Sequence, residues 1–305
     1  MGAPRTSSGA ATAALPAASG ARQLVADLVA LTKPKVQSLL LLTTVTTMLV
    51  AGSPSIGLIV ATCVGGYLSA GGAGAVNHWF DRDIDGQMAR TANRPIPSGR
   101  IAPATALWFG IGLGVLAFVW LTLTTNVLAA ALSSSGFVGY TLLYTVWLKR
   151  RTWQNIVWGG AAGAVPPLVG WAAVTGGLTG LPIYLFAIVF FWTPPHFWAL
   201  SLLMKDEYAK VGVPMLPVVR GEDETRRQIL LYSVLLYAVT QLPFCGGGGL
   251  DYIYVAASAL LGLMFIALAV ALSRLKTRKA ALRLYLFSLL YLALLFASMV
   301  ADVKL

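Results

Sequence analysis

Long apolar segments alternate with short polar connections along most of this chain. A run of about 20 apolar residues has the length of a helix that crosses a lipid bilayer. By this criterion the sequence predicts nine membrane helices, at residues 36–52, 56–76, 103–122, 126–147, 155–175, 181–203, 229–245, 251–273 and 281–301. The predicted fold class is therefore all-α, in a polytopic membrane protein.

The connections between the predicted helices are of two kinds, and the two kinds alternate. Basic residues precede the first span and follow the second, fourth, sixth and eighth spans, whereas loops such as AGSPS and GGLTG carry no charge. Basic loops are retained on the cytoplasmic side of a membrane. The pattern predicts an N-inside, C-outside topology, a bacterial cytoplasmic membrane location, and all charged loops on the cytoplasmic face.

The composition agrees with this class and excludes another. The chain has 305 residues, 57% hydrophobic and 11% charged, and its mean hydropathy is +0.76, whereas soluble proteins average about 25% charged residues. The net charge of +11 would suggest nucleic-acid binding in a soluble domain. Here the basic residues lie beside apolar spans, where topology explains them, so nucleic acid is not an expected partner.

The first 21 residues differ from the rest of the chain. They are rich in Ala, Gly, Ser, Thr and Pro, and Arg5 is their only charged residue. This composition predicts a disordered tail at residues 1–21, followed by one membrane domain at 22–305. The alternative is a mitochondrial presequence, which would carry more arginine and would place the protein in the mitochondrial inner membrane.

Candidate chemistry is concentrated in the stretch from Asn77 to Arg100. Asn77, Asp81 and Asp85 are spaced four residues apart, so they share one face if the second helix continues through them. Asp83 would point the other way. Oxygen ligands without histidine or cysteine suit Mg²⁺, which proteins usually hold with one or two carboxylates plus substrate phosphates.

Basic residues follow this acidic face. Arg90, Arg94 and Arg100 have the forked guanidinium that binds phosphate or carboxylate oxygens. The stretch is thus a candidate site for a metal-bound diphosphate. The alternative is a solvated loop of mutually neutralising charge.

Two further groups of polar residues follow later spans. Lys205, Asp206, Glu207 and Lys210 come directly after the sixth span, where the acids suit a second Mg²⁺ site and the lysines suit phosphate. The alternative is an ordinary charge cluster at a helix end. Where the fourth span leads into the fifth, the sequence has a basic, hydroxyl-bearing rim, which consists of Tyr140, Tyr144, Lys149, Arg150, Arg151, Thr152 and Asn155. Its alternative role is topology alone.

Inside the spans the sequence places almost no ionisable side chain. Ion-coupled transporters usually carry such groups near the midplane, so a haem or lipid transporter is the less favoured class. His196, in WTPPHFWAL of the sixth span, is either a haem contact or a packing residue.

Three long motifs carry a resemblance to a known family. DRDIDGQMARTANRPIPSGRI, LKRRTWQNIVWGGAAGAVPPLVGW and WTPPHFWALSLLMKDEYAKVGVPMLPVV resemble the UbiA-type intramembrane prenyltransferases, in particular the branch that makes haem O. The similarity covers about residues 35–300. It implies nine helices around a central cavity, in which Mg²⁺ and farnesyl diphosphate bind and the farnesyl group is added to a vinyl group of haem B. Haem is then a substrate and not a resident cofactor.

The resemblance also assigns roles to individual residues. Asn77, Asp81 and Asp85 match the first metal site, Arg90 and Arg94 match the basic residues after it, and Lys149 and Arg150 match the diphosphate rim. Asp206 and Glu207 stand where the wider family has a run of aspartates. The candidates for substrate binding, including the haem propionates, are Arg100, Tyr144, His196, Lys205 and Lys210.

The implied partners are farnesyl diphosphate, haem B and membrane lipid, with haem A synthase and terminal oxidase assembly downstream. Another aromatic or tetrapyrrole acceptor remains the alternative to haem.

Overall fold

The computed structural model describes residues 17–305, and the side chains from residue 20. Its helices are α1 (Ala17–Leu31), α2 (Pro34–Ala51), α3 (Ile56–Phe80), α4 (Arg82–Asp85), α5 (Pro103–Thr124), α6 (Val127–Val138), a π-helix (Gly139–Leu148), α7 (Asn155–Gly163), α8 (Val165–Thr175), α9 (Gly180–Leu203), α10 (Lys205–Lys210), α11 (Leu216–Val219), α12 (Glu222–Val239), α13 (Leu242–Cys245), α14 (Tyr252–Leu275) and α15 (Arg278–Lys304).

Nine segments of the described chain are long and apolar enough to cross a membrane, which confirms the predicted number and the all-α class. They are Pro34–Ala51, Ile56–Phe80, Pro103–Thr124, Val127–Leu148, Asn155–Thr175, Gly180–Leu203, Glu222–Cys245, Tyr252–Leu275 and Arg278–Lys304. Several spans are built from two consecutive helices, as the Pro166–Pro167 pair at the start of α8 illustrates.

The boundaries differ from the prediction at two places that matter. The second span continues to Phe80 instead of ending at residue 76, so Asn77 lies inside it. The seventh begins at Glu222 instead of 229, because three acidic residues in its first turn interact favourably with the positive end of the helix dipole. The predicted tail of residues 1–16 lies outside the described residues, while residues 17–21 belong to α1.

Helix α1 lies against the loop that follows the second span. Leu31 is fully buried, and it forms an apolar cluster with Ala75, Ile96 and Ile101. Asp27, also buried, accepts two hydrogen bonds from Nε of Arg100, at 3.0 and 3.1 Å. These contacts hold the loop beneath the end of α3.

Two glycines allow the second and third spans to approach closely. A Cβ atom at Gly72 would lie 2.5 Å from the carbonyl oxygen of Gly110, and a Cβ at Gly110 would lie 2.7 Å from the carbonyl oxygen of Gly72. Membrane helices commonly use small residues where their backbones meet. The contact fixes α3, whose far end carries the acidic residues, against α5.

The later spans form an aromatic core. Trp198, Tyr254, Phe265, Tyr291 and Phe296 are almost completely buried there. Large apolar side chains on the outer surface, among them Trp108, Leu123 and Leu260, are exposed, as expected where lipid is the solvent.

Candidate active site

The three predicted polar residues lie on the buried side of one continuous helical path. The Asp81 amide donates to the Asn77 carbonyl at 2.9 Å, and the Asp85 amide donates to the Asp81 carbonyl at 2.9 Å. The helical repeat thus continues from α3 into α4. Asn77, Asp81 and Asp85 are 3%, 1% and 3% exposed, whereas the Asp83 side chain on the other face is 57% exposed.

Two basic residues from the end of the fourth span neutralise the acidic face. Lys149 Nζ lies 2.5 Å from Oδ2 of Asp81, and Arg150 Nη2 lies 3.5 Å from its Oδ1. Arg150 also binds both carboxylate oxygens of Asp83, at 2.6 and 2.7 Å. These hydrogen bonds lower the pKa of Asp83 and raise that of Arg150.

Lys33, one of the basic residues that precede the first span and predict its topology, reaches the same place. Its Nζ donates to Oδ1 of Asn77 at 2.6 Å and lies 3.5 Å from the Tyr140 hydroxyl. Burial, with added repulsion from Arg94 and Lys149, lowers the pKa of Lys33 to about 7. Lys33 therefore belongs to the lining of the site as a lysine that is about half protonated near pH 7.

A π-helix explains how the fourth span presents its polar side chains together. Its hydrogen bonds join residues five apart, and the Lys149 amide accordingly donates to the carbonyl of Tyr144 at 2.9 Å. Tyr140, Thr145 and Lys149 then serve one site. Thr145 Oγ1 accepts from Nδ2 of Asn77 at 3.1 Å, and the Tyr140 and Tyr144 rings lie 5.3 Å apart. In an α-helix, with 3.6 residues per turn, side chains five positions apart in sequence would point to different sides of the helix.

The loop between the second and third spans, called the first loop below, covers Asp85. Arg94 Nη1 forms an ion pair with Oδ2 of Asp85 at 2.7 Å, and the Thr91 hydroxyl donates to the Asp85 carbonyl at 2.7 Å. Arg90 is exposed and forms no ion pair with a described residue. Arg100 is instead committed to Asp27 and to the carbonyl of Asn93.

The loop after the sixth span meets the first loop, as expected of loops at the same end of the bundle. Ile84 packs with Val213 and Met215, and Tyr144 and Tyr208 border this cluster. Burial raises the pKa of the Tyr208 phenol, and the charges that act on it include those of Arg90 and Asp81.

The acids and lysines that follow the sixth span lie in different surroundings and do not form one cluster. Glu207 Oε2 is buried without a hydrogen-bond partner among the described residues. Lys205 forms an ion pair with Glu222 at 3.2 Å, and Lys205 and Asp206 both line a cavity separate from the acidic site. Lys210 is exposed.

His196 lies in the aromatic core of the later spans. Its Nδ1 is 2.6 Å from the Ser288 hydroxyl, and its ring stacks between Trp192 and Tyr285, with centroid distances of 4.3 and 5.0 Å. The Ser288 hydroxyl thus provides a hydrogen-bond partner for one ring nitrogen, and the stacking packs His196 between the sixth and ninth spans.

The donor set suits a hard cation bound together with its substrate. Among residues 17–305 no three acidic, histidine or cysteine side chains converge as a complete metal cage. Asp81 and Asp85 nevertheless offer buried carboxylate oxygens, and Oδ1 of Asp81 has no hydrogen-bond partner among the described residues. Two carboxylates plus substrate phosphates form a typical Mg²⁺ environment.

In residues 17–305, nine apolar spans carry at one end a buried site of carboxylates and cations, an arrangement that suits an anionic ligand bound with a metal ion at the edge of a membrane. The sequence profile described as the UbiA prenyltransferase family matches residues 40–295, and the chain belongs to that family.

Two curated relatives are named protoheme IX farnesyltransferase. The one from Chloroflexus aurantiacus is 55% identical over 92% of this chain, and the one from Symbiobacterium thermophilum is 51% identical over 92% of it. The chain spans 48% of the first relative's length and 95% of the second's, so it covers about half of several of its longer relatives.

Solved structures share the fold at low sequence identity. A digeranylgeranylglyceryl phosphate synthase structure superposes with a TM-score of 0.76 at 17% identity, covering 92% of this chain and 98% of its own. A UbiA homologue from Archaeoglobus fulgidus, bound to DMAPP and Mg²⁺, gives a TM-score of 0.67 at 15% identity, covering 90% and 99%.

Proposed function

We propose that this protein transfers the farnesyl group of farnesyl diphosphate to a vinyl group of haem B, forming haem O and releasing diphosphate. The observation that carries the proposal is the buried Asp81, held between Lys149 and Arg150 at one end of an apolar bundle. The names of relatives at 51–55% identity supply the acceptor.

The charge balance of the site favours an anionic ligand. Three cations, Arg94, Lys149 and Arg150, balance three carboxylates, Asp81, Asp83 and Asp85. Lys33, whose pKa is about 7, becomes fully protonated when an anion binds beside it, and Mg²⁺ would add further positive charge. A diphosphate carries the charge that such a site lacks.

Asp81 and Asp85 would hold Mg²⁺, and Glu207 is the best-placed acid of the loop after the sixth span because its buried Oε2 has no partner among the described residues. The bound ion would supply Lewis-acid stabilisation of the negative charge that develops on the leaving group. Asn77 remains a predicted ligand, whereas Asp206 lines the separate cavity beside Lys205 and is the weaker candidate.

Transfer requires cleavage of the bond between farnesyl C1 and the diphosphate oxygen, with the electron pair leaving on oxygen. Lys149, Arg150 and Arg94 would stabilise that charge through hydrogen bonds already directed at the site. The vinyl π electrons then form the new carbon–carbon bond. Water adds to the resulting cation beside the porphyrin and loses a proton, which gives the hydroxyl group.

Two tyrosines border the position of the allylic cation. Tyr140 and Tyr144 present their rings beside Lys33 and the acidic face, where a π-face stabilises developing positive charge. The surrounding apolar helices would keep water from the cation until the new bond has formed.

The proposal includes the side of the membrane and the position of haem. The alternation of basic loops favours a cytoplasmic site. Lys210 and Arg90, both exposed and outside the ion pairs of the described chain, are the best-placed cations for the haem propionates. Arg100, Lys205 and His196 are committed to other contacts and are weaker candidates. Haem O would pass to haem A synthase or to terminal oxidase assembly.

Membranes that contain the protein, incubated with haem B, farnesyl diphosphate and Mg²⁺, test the proposal. We expect a haem product heavier than haem B by a farnesyl group plus a hydroxyl, and its loss in Asp81→Asn. Unchanged haem with a prenylated quinone precursor would instead support another acceptor, and flux of haem without diphosphate release would support a transporter.

A further inference from the structure

A second polar cavity lies outside the acidic site. It has a volume of about 220 Å³ and is bounded by the ends of α9 and α14 and the beginnings of α12 and α15. Four of its lining residues are cations, namely Lys205, Arg226, Lys276 and Arg278. All four belong to loops or helix ends on the same side of the bundle as the active site.

Three acids, Asp206, Glu222 and Asp223, lie at or beside this cavity against its four cations, and Asp206 forms no ion pair with a described residue. Glu222 pairs with Lys205 and Arg226, and Asp223 pairs with Arg226 and Lys276, at 2.8 Å in the last case. Arg278 forms no ion pair with a described residue. Arg226 is only 8% exposed, and its Nε has no hydrogen-bond partner among the described residues.

Helix ends of both signs meet at the cavity, because α12 and α15 begin there while α9 and α14 end there. Lys276 ends α14 with a φ of 53°, a left-handed conformation that a lysine adopts at an energetic cost. Thr277 caps α15, a helix of 27 residues, and Arg278 occupies its first turn. The positive end of the α15 dipole faces the same space as the negative ends of α9 and α14, so the surplus positive charge of the cavity comes from its side chains.

The other walls of the cavity are apolar. Leu202, Leu203, Leu272 and Ala281 line it beneath the charged residues. On the neighbouring outer surface Leu275 and Leu282 are 58% and 44% exposed, in position to contact acyl chains. A ligand with one anionic group and an apolar body matches both parts of this lining.

We propose that this cavity binds the phosphate of an anionic glycerophospholipid, with Arg278 as the cation that the protein leaves for it. Basic pockets between membrane helices commonly recognise anionic headgroups. Bound lipid would join the sixth, seventh, eighth and ninth spans at the edge of the membrane, at a distance in sequence from the acidic face.

The test compares substitutions of two adjacent basic residues, Arg278 and Lys279. Arg278→Gln removes the free cation, while Lys279→Gln removes the same charge from an exposed neighbour outside the cavity lining. Lipid-depleted full-length protein in detergent is titrated with short-chain phosphatidylglycerol, and bound lipid is counted by native mass spectrometry. Phosphatidylcholine of the same chain length and inorganic phosphate serve as the comparison ligands.

We expect phosphatidylglycerol to bind more tightly than phosphatidylcholine, and Arg278→Gln to weaken it about fivefold, the effect of one basic residue at a membrane surface. Lys279→Gln should change it less than twofold, and Arg278→Lys should retain most of the binding. Equal loss in both glutamine variants, or equal affinity for the two lipids, would overturn the proposal. Displacement of the lipid by inorganic phosphate at equal concentration would assign the cavity to a soluble anion instead and would overturn it too.

Discussion

Lys33 Nζ donates a 2.6 Å hydrogen bond to Oδ1 of Asn77, and this bond joins the start of the first span to the end of the second. It sets the orientation of the Asn77 amide, whose Nδ2 then donates to Asp81 at 2.8 Å and to Thr145 at 3.1 Å. Asn77 therefore orients the Asp81 carboxylate in this arrangement. Three segments of the chain contribute to that single carboxylate: the start of the first span, the end of the second and the end of the fourth.

The contact predicts a role for Lys33 in binding the diphosphate. Lys33→Met removes a basic group from the proposed diphosphate site and leaves Oδ1 of Asn77 without its hydrogen bond. We therefore expect the catalytic efficiency for farnesyl diphosphate to fall about tenfold or more. Lys33→Arg should recover part of it. The measurement is initial rate against farnesyl diphosphate concentration.

Lys35 supplies the control for that variant, since it is exposed and only two residues away. Lys35→Met removes the same charge and should leave the rate within twofold. An equal loss in both variants would mean that Lys33 acts through topology alone.

Lys149 and Arg151 offer a second matched pair. Lys149 touches Asp81, whereas Arg151 is exposed and forms no ion pair among the described residues. Lys149→Met should lower turnover about 100-fold, because it removes stabilisation of the leaving group and leaves a buried carboxylate without its closest partner. Arg151→Gln should lower turnover less than threefold. Haem product formed per minute under saturating substrate measures both.

Metal removal should abolish transfer in a way that depends on Asp85. A chelator should stop product formation, and added Mg²⁺ should restore it. Asp85→Asn should raise the Mg²⁺ concentration for half-maximal rate about tenfold or more, because one of two carboxylate ligands is lost. Asp83→Asn, on the exposed face, should leave that concentration nearly unchanged. A Mg²⁺ dependence identical in both variants would exclude Asp85 as a ligand.

The close contact of the second and third spans predicts a stability effect away from the chemistry. Gly72→Ala places a methyl group against the Gly110 backbone and should cost about 1–3 kcal/mol, as overpacking does. Gly112→Ala, where a Cβ would meet nothing within 4 Å, should be nearly neutral. Thermal unfolding in detergent compares the two. A similar melting temperature for both variants would show that the backbones can move apart at no cost.

Much of the candidate site could be read from local sequence. The four-residue spacing of Asn77, Asp81 and Asp85 holds because the helical path continues through them, and Asp83 faces outward for the same reason. Lys149 and Arg150 follow the fourth span directly in sequence, but their position left topology as an alternative, and it was the family resemblance that assigned them to the diphosphate. For the three polar residues, one helical path contains the whole signal.

Other members of the site could not be found in this way. Lys33 lies 44 residues from Asn77, and its charge beside a span has an ordinary explanation in topology. Tyr140 and Thr145 join Lys149 only because a π-helix changes the period of the span. Arg100 was a candidate for substrate binding, but a buried aspartate 73 residues earlier pairs with it.

The sequence by itself determined that residues 17–305 contain nine helices of membrane-spanning length, because apolar runs of that length are a local property and the helix satisfies its own backbone in lipid. It also determined that acidic and basic side chains gather in the loops after the even-numbered spans. Only the tertiary structure decided which cation meets which carboxylate, since ion pairs depend on how helix ends distant in sequence pack together. The tertiary structure also decided that Lys205 and Asp206 line a cavity separate from Asp81, because the packing of the later spans against one another forms that cavity.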